Sequence, residues 1–150
     1  MIDALKQKII TIMDAHRIMT VATLRPDGWP HATTVGYAHE GLTPYFLCGL
    51  QSQKAVNIDR DNRVSVTIDH DEPQVMRIKG LSLSAHATRI EDPREAERVM
   101  AMLIERYPQQ VKSPGALPPP SDVAIFKLKP TLISVLDYSK GFGHTDLMRC

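Results

Sequence analysis

The sequence predicts an α+β, mainly β fold: a small closed or nearly closed antiparallel barrel of six to seven strands with helices at its ends. Three observations predict it. A chain of 150 residues suits one domain, here residues 1–150, of a size that buries roughly 68–70% of its extended surface. The apolar period changes from helical spacing to strand alternation just after residue 16, and the same change recurs twice further along. The early strands are separated by turns too short for helical crossovers, so neighbouring strands run antiparallel.

Residues 2–16 form the first helix, because Ile2, Leu5, Ile9, Ile12, Met13 and His16 recur on one face while Lys6, Lys8 and Asp14 fall elsewhere. Arg17–Leu24 is a short β-branched strand. Arg25-Pro26-Asp27-Gly28 is a tight turn into an extended run, His31–Ala38, and His39-Glu40-Gly41 turns again into Pro44–Cys48. Gly49–Ser52 breaks the extended run, and Gln53–Asp61 is helical with Ser52 as its cap. Val64, Val66 and Ile68 alternate with polar residues, as in a strand with one buried face.

A longer strand is expected over Val75–Glu91, with a β-bulge at Lys79-Gly80 to reconcile its two apolar parities. Asp92-Pro93-x-Glu95 starts a helix whose stripe runs from Ala96 to Tyr107 and which Pro108 ends. Ser113–Ser121 is a surface loop. Val123–Lys129 and Thr131–Tyr138 are closing strands divided by Pro130, followed by a tail, Ser139–Cys150.

Composition excludes several classes. Eighteen Lys and Arg against 17 Asp and Glu give a net charge of +1, which does not suit charge-driven nucleic-acid binding. No apolar run approaches the roughly 20 residues of a membrane span. The first residues lack the basic-then-apolar layout of a signal peptide. Cys48 and Cys150 are the only cysteines, so a disulfide framework and a cysteine-based zinc site are excluded and a cytoplasmic location is expected.

Chemistry concentrates at Phe46–Lys54. A phosphate needs free backbone N–H groups, a hydroxyl and a cation within one turn, and the helix start, Ser52 and Lys54 supply them. A capping serine beside a solvated lysine explains the same triplet. The six histidines, His16, His31, His39, His70, His86 and His144, make no HExxH or i, i+4 pair on a helix. His70 with Asp69 and Asp71 lies in a turn that could bind a metal weakly, but it reads better as a solvated turn, and no metal site is expected. Cys48 reads as a structural thiol. Residues 137–144, DYSKGFGH, combine aromatics, a cation and a histidine, as expected of a disordered tail or of one reaching over a pocket in its own or a second chain.

Residues 19–69 resemble the pyridoxamine 5′-phosphate oxidase-like family of FMN-binding split barrels. The resemblance rests on Ala22-Thr23-Leu24, Pro26-Asp27-Gly28-x-Pro30-His31, the strand to Tyr37, Tyr45-Phe46, Ser52-x-Lys54, Asn57 and Asn62–Val66, with Gly80 beyond. It extends over about residues 5–138. It implies a homodimer of six- to seven-stranded split barrels with FMN in the grooves between subunits. Ser52 and Lys54 match the phosphate ligands, with Gln53 between them. Thr33, Thr34, Val35 and Gly36 match the strand along the flavin ring, and Cys48 and Gly49 match the strand beside it. By chain position alone, Tyr138, Lys140, Phe142 and His144 fall near the partner's flavin. Tyr138 and Phe142 would cover the ring, and Lys140 or His144 would be weak catalytic candidates that stabilise negative charge.

The resemblance also implies what the protein is not. Thr33 stands where pyridoxamine phosphate oxidases carry a basic residue, and their C-terminal Trp-plus-Arg signature is replaced by DYSKGFGH. A flavin-dependent oxidoreductase acting on another small molecule is therefore expected. Two alternatives use the same groove. One is a non-catalytic flavin or haem carrier or stress-associated regulator, with His31, His86 or His144 as the haem ligand. The other is a deazaflavin-dependent reductase, disfavoured because no Lys/Arg cluster extends beyond Lys54.

Overall fold

The apolar stripe of Leu5, Ile9, Ile12 and Met13 makes the first helix, α1 (Ile2–Ala15), and buries Ile9 and Met13 completely. Each such side chain contributes about 1.5–3 kcal/mol on burial. The computed structural model describes residues 2–107 and 118–150. In these residues α1 is followed by β1 (Ile18–Leu24), β2 (Pro30–Gly36), β3 (Ala38–Glu40), β4 (Thr43–Gly49), α2 (Gln53–Arg60), β5 (Arg63–Ile68), β6 (Lys79–Arg89), α3 (Pro93–Arg106), β7 (Val123–Asp137) and β8 (Thr145–Arg149).

The strands form one antiparallel sheet in the order β2-β1-β5-β6-β7-β4-β3, with β8 also paired to β7. The two ends of that order, β2 and β3, are joined through Tyr37 alone, so the sheet has to curl and bring its two edge strands near each other without pairing them. The result is a split, barrel-like sheet with helices on both faces. On the concave side α1 and α2 close over Val21, Val66, Leu83 and Ile133, while α3 covers Tyr45 and Ile125 on the opposite face. The split is visible along β7. Strand β6 follows one edge, whereas the other is shared end to end by β4 over Val123–Lys127 and β8 over Leu132–Leu136.

Eight strands form among the described residues, and each difference from the expected six or seven has a local cause. The extended run His31–Ala38 breaks at Tyr37. Its ring is buried, its hydroxyl donates to the Met13 carbonyl oxygen at 2.6 Å, and its N–H donates to that of Arg17. Burial pushes the Tyr37 phenol up to about 12, against the pull of Arg106, so it remains a donor.

Val75–Arg77 is a 3₁₀ turn rather than strand. Met76 and Ile78 therefore never share a ladder with Leu81 and Leu83, and no bulge is needed at Lys79-Gly80. The irregularity lies instead where Ser84 faces Leu132 and Ala85 faces Pro130. Pro130 has no N–H to give the ladder, and the bulged Thr131 donates its hydroxyl to the Ser84 carbonyl oxygen at 3.1 Å. The proline is absorbed and β7 runs unbroken. The loop expected over Ser113–Ser121 lies outside the described residues up to 117, and its described end contains a 3₁₀ turn at Pro120–Asp122.

The expected tail is structured. Gly141 (φ 137°) and Gly143 (φ 72°) supply backbone conformations that side-chain-bearing residues rarely adopt, and the chain returns as β8. Asp137 anchors this return. It is buried, accepts from Lys8 Nζ at 2.7 Å and from the Ser139 N–H at 3.0 Å, and bonds the Ser139 hydroxyl at 2.5 Å. Lys8 and Ser139 hold its carboxyl well below the usual aspartate range. A depressed folded value stabilises the protein above the unfolded aspartate pKa, near 4, and is lost as pH falls below it. Asp137→Asn should therefore cost about 2 kcal/mol at pH 7. The gap from the wild type in urea midpoint should close as pH is lowered below about 4.

Candidate functional site

The Gly49–Ser52 bend turns β4 into α2, and the local sequence explains the geometry. Ser52 adopts an extended conformation (φ −63°, ψ 155°) and its Oγ accepts from the Ala55 N–H at 3.3 Å. The cap takes one first-turn donor and leaves the N–H groups of Gln53 and Lys54 without helical partners. None of the ion pairs among the described residues involves Lys54.

Cys48 lies at the same corner. Burial pushes its thiol up, while the Ser52 hydroxyl and the Lys54 ammonium act in the opposite direction. The net rise keeps sulfur protonated, which fits a packed thiol rather than a nucleophile.

Helix α2 is fixed to β1 by a polar chain inside the protein. Asn57 is fully buried; its Nδ2 donates to Thr23 Oγ1 at 3.0 Å, and its Oδ1 accepts from Gln53 Nε2 at 2.7 Å. Gln53 is therefore tied to the helix rather than extended as a separate ligand. Asn57 positions the helix start that carries Ser52 and Lys54. Its role is not evident from the sequence beyond one signal, a polar residue on the buried side of so short a helix.

Strand β2 begins next to this chain. Thr23 faces His31, Val21 faces Thr33 and Met19 faces Val35, so His31, Thr33 and Val35 share the inner face. Thr34 is exposed and Gly36 is half-buried. As the first strand of the sheet order, β2 pairs with β1 on one edge only, leaving backbone N–H and C=O groups on the other. His31 Nδ1 and Thr33 Oγ1 are buried polar atoms with no hydrogen-bond partner, an arrangement that favours a ligand able to pair with them. Gly36 has a separate structural duty. A Cβ there would come within 2.8 Å of the Tyr107 hydroxyl, which donates to the Arg17 carbonyl oxygen.

The remaining sequence-predicted residues lie elsewhere in the chain. Gly49 pairs with Val123 at one end of β7, while Tyr138 follows Asp137 at the other. That is about 45 Å of strand path at roughly 3.3 Å per residue. Tyr138 meets Phe142 edge-on, with ring centres 5.1 Å apart. His144 Nε2 lies 3.1 Å and Lys140 Nζ 3.9 Å from Asp146 Oδ2. One chain thus presents two separate clusters, Cys48–Lys54 with β2 and Tyr138–His144.

Among the described residues, no helix covers the convex face of β1, β5 and β6. A shallow cleft of about 400 Å³ there is lined by Ala22, Leu24, Ser65, Ser84, His86 and Thr131 among others. None of the residues matched to the flavin site lines it; of the candidate haem ligands, His86 does. Among the described residues, no group of three or more His, Cys, Asp or Glu is placed to hold a metal, and no helix is long and apolar enough to cross a membrane.

Comparisons with known proteins agree with this architecture. The family model described as pyridoxamine 5′-phosphate oxidase matches residues 5–137. General stress protein 26 of Bacillus subtilis is 30% identical over 67 residues, which are 45% of this chain and 47% of that protein. A conserved hypothetical protein of Mycobacterium tuberculosis superposes with a TM-score of 0.77 at 27% identity, covering 93% of this chain and 89% of its own. A haem-binding protein of Mycobacterium smegmatis superposes with a TM-score of 0.75 at 20% identity, covering 96% of this chain and 57% of its own. The match thus spans about half the length of the Bacillus protein, and the chain a little over half that of the haem-binding one.

Proposed function

The chain belongs to the pyridoxamine 5′-phosphate oxidase family, and from that premise we propose that it is an FMN-dependent oxidoreductase acting on a small molecule other than pyridoxamine phosphate. The observation that carries the reading is Lys54, a cation without an ion-pair partner among the described residues, beside the Ser52 hydroxyl and two unpartnered helix N–H groups. That donor set suits a single terminal phosphate. The free edge of β2 suits the amide-like rim of a flavin ring, and Thr33 Oγ1 and His31 Nδ1 offer buried polar atoms beside it. Bound FMN supplies hydride and single-electron chemistry. The residues named here bind, orient and shield it, and Cys48 takes no nucleophilic part.

The proposal includes a homodimer. Within one chain the Tyr138–His144 turn is far from Lys54 along β7, so its meeting with the flavin requires a second copy. The uncovered face of β1, β5 and β6, with Thr20, Ser65, Thr67, Ser82 and Ser84, offers a surface of small side chains for that copy.

Haem is a second reading, favoured by one observation. Of the three candidate axial ligands, His31 alone has a buried ring nitrogen without a partner. His86 Nδ1 meets Asn62 Oδ1 at 3.2 Å, and His144 meets Asp146. The visible spectrum of protein reconstituted with FMN, and separately with haem, distinguishes the two. The proposal expects flavin bands that survive desalting, and oxidation of a reduced nicotinamide that depends on added FMN. A retained haem band without retained flavin overturns it.

A further inference from the structure

Two histidines outside this site meet where the chain leaves α1 and where it leaves β5. His16 Nδ1 lies 2.7 Å from the Ile12 carbonyl oxygen. A carbonyl only accepts, so the proton is on Nδ1 and the neutral ring carries its lone pair on Nε2. That Nε2 lies 3.0 Å from Nδ1 of His70. The other His70 nitrogen, Nε2, faces the Glu72 carboxylate at 3.6 Å. Each ring turns its far nitrogen to an oxygen and its near nitrogen to the other ring.

Metal-ligating histidines have this surrounding: a carbonyl or carboxylate holds the distal N–H and leaves the other nitrogen free to coordinate. We propose that His16 Nε2 and His70 Nδ1 form a binding site for a divalent transition-metal ion, with water completing the coordination. Metal–nitrogen bonds of about 2.0–2.1 Å put two nitrogens roughly 3 Å apart at a right angle and somewhat further apart at a tetrahedral one. The observed 3.0 Å is the span of the hydrogen bond between the rings, close to the separation an ion would set once they turn. The ring centres are 5.3 Å apart with planes inclined by 21°, a separation that places the rings head to head. An entering ion requires them to swing outward, and the His70 side chain, 51% exposed, has room to do so.

Asp69, Asp71 and Glu72 around His70 in the sequence add negative charge that attracts a cation. Arg106 binds the carbonyl oxygens of Met13 and His16 and does not compete for the ring nitrogens. Without an ion the facing nitrogens share a hydrogen-bonded proton, which an entering ion displaces. With two protein nitrogens and no third protein ligand among the described residues, affinity should follow the order copper(II) above nickel(II), with zinc(II) below copper(II).

The test is calorimetric titration of tag-free protein at neutral pH with copper(II), nickel(II) and zinc(II) salts. The proposal expects one ion per chain, copper bound most tightly. It expects at least a tenfold loss of affinity in His70→Gln and in His16→Gln, and a loss of about tenfold in Glu72→Gln. His70 lies in an exposed turn, so His70→Gln keeps the fold, which circular dichroism verifies. The copper(II) paramagnetic spectrum should show two imidazole nitrogens in the wild type and one in His70→Gln. Wild-type affinity retained in both histidine variants, or no ion bound by folded wild-type protein, overturns the proposal.

Discussion

Lys54→Ala is expected to weaken FMN binding roughly 10- to 150-fold, the equivalent of about 1.5–3 kcal/mol for a charge-assisted hydrogen bond. The effect is large because Lys54 has no carboxylate partner among the described residues, whereas Arg89, the other cation acting on Cys48, is paired with Asp59. Two backbone N–H groups and the Ser52 hydroxyl remain at the helix start, so binding is reduced and not abolished. Lys54→Arg should recover most of the affinity, since charge and reach are kept. Ser52→Ala removes both a phosphate ligand and a helix cap, and the loss of the cap alone costs about 1 kcal/mol of stability. Fluorescence titration of FMN with each variant measures these effects. Unchanged affinity in Lys54→Ala would remove the phosphate assignment while leaving the fold intact.

Phe126→Ala is expected to cost about 3–5 kcal/mol of stability. For a chain of this length that corresponds to a fall in melting temperature of roughly 10–15 °C. Phe126 has no exposed surface and faces Phe46 across the β7–β4 ladder, with ring centres 5.5 Å apart. On the β6 side it faces Arg89, whose guanidinium lies 5.5 Å from the ring centre. Truncation opens a cavity at the centre of three paired strands. Strand β4 continues from Phe46 to Cys48 and into the bend before α2, so FMN affinity should fall together with stability. Differential scanning calorimetry gives the first quantity. A shift of less than about 3 °C would show that the core collapses around the smaller residue.

Much of this architecture is legible in the sequence because it is dictated locally. The stripe of Ile9, Ile12 and Met13, the alternation of Val64, Val66 and Ile68, and the caps Ser52 and Asp92 each express a short-range physical rule. The structure realises all of them, including the Asp92 carboxylate accepting from the Arg94 N–H. The break at Tyr37 was hidden because it depends on Met13 and Arg17, residues distant in the sequence. The continuity of β7 through Pro130 was hidden because a hydroxyl, Thr131, stands in for the missing N–H. A five-residue strand such as Thr145–Arg149 carries too little pattern to distinguish it from a tail without knowing that β7 has an open edge beside it.

The candidate site divides in the same way. Ser52 as a cap follows from spacing, whereas Lys54 as a phosphate ligand is singled out mainly by the family resemblance. The convergence of Cys48, Ser52 and Lys54, and the burial of Asn57 against Thr23, are properties of the folded chain. So are the unpartnered His31 and Thr33 atoms, which no spacing rule distinguishes from ordinary strand residues.

The most direct test of the central claim is titration of the wild-type, tag-free protein with FMN while its mass in solution is measured by light scattering. One FMN bound per chain by a particle of two chains is expected, whereas a monomer that takes up no FMN would contradict the proposed site.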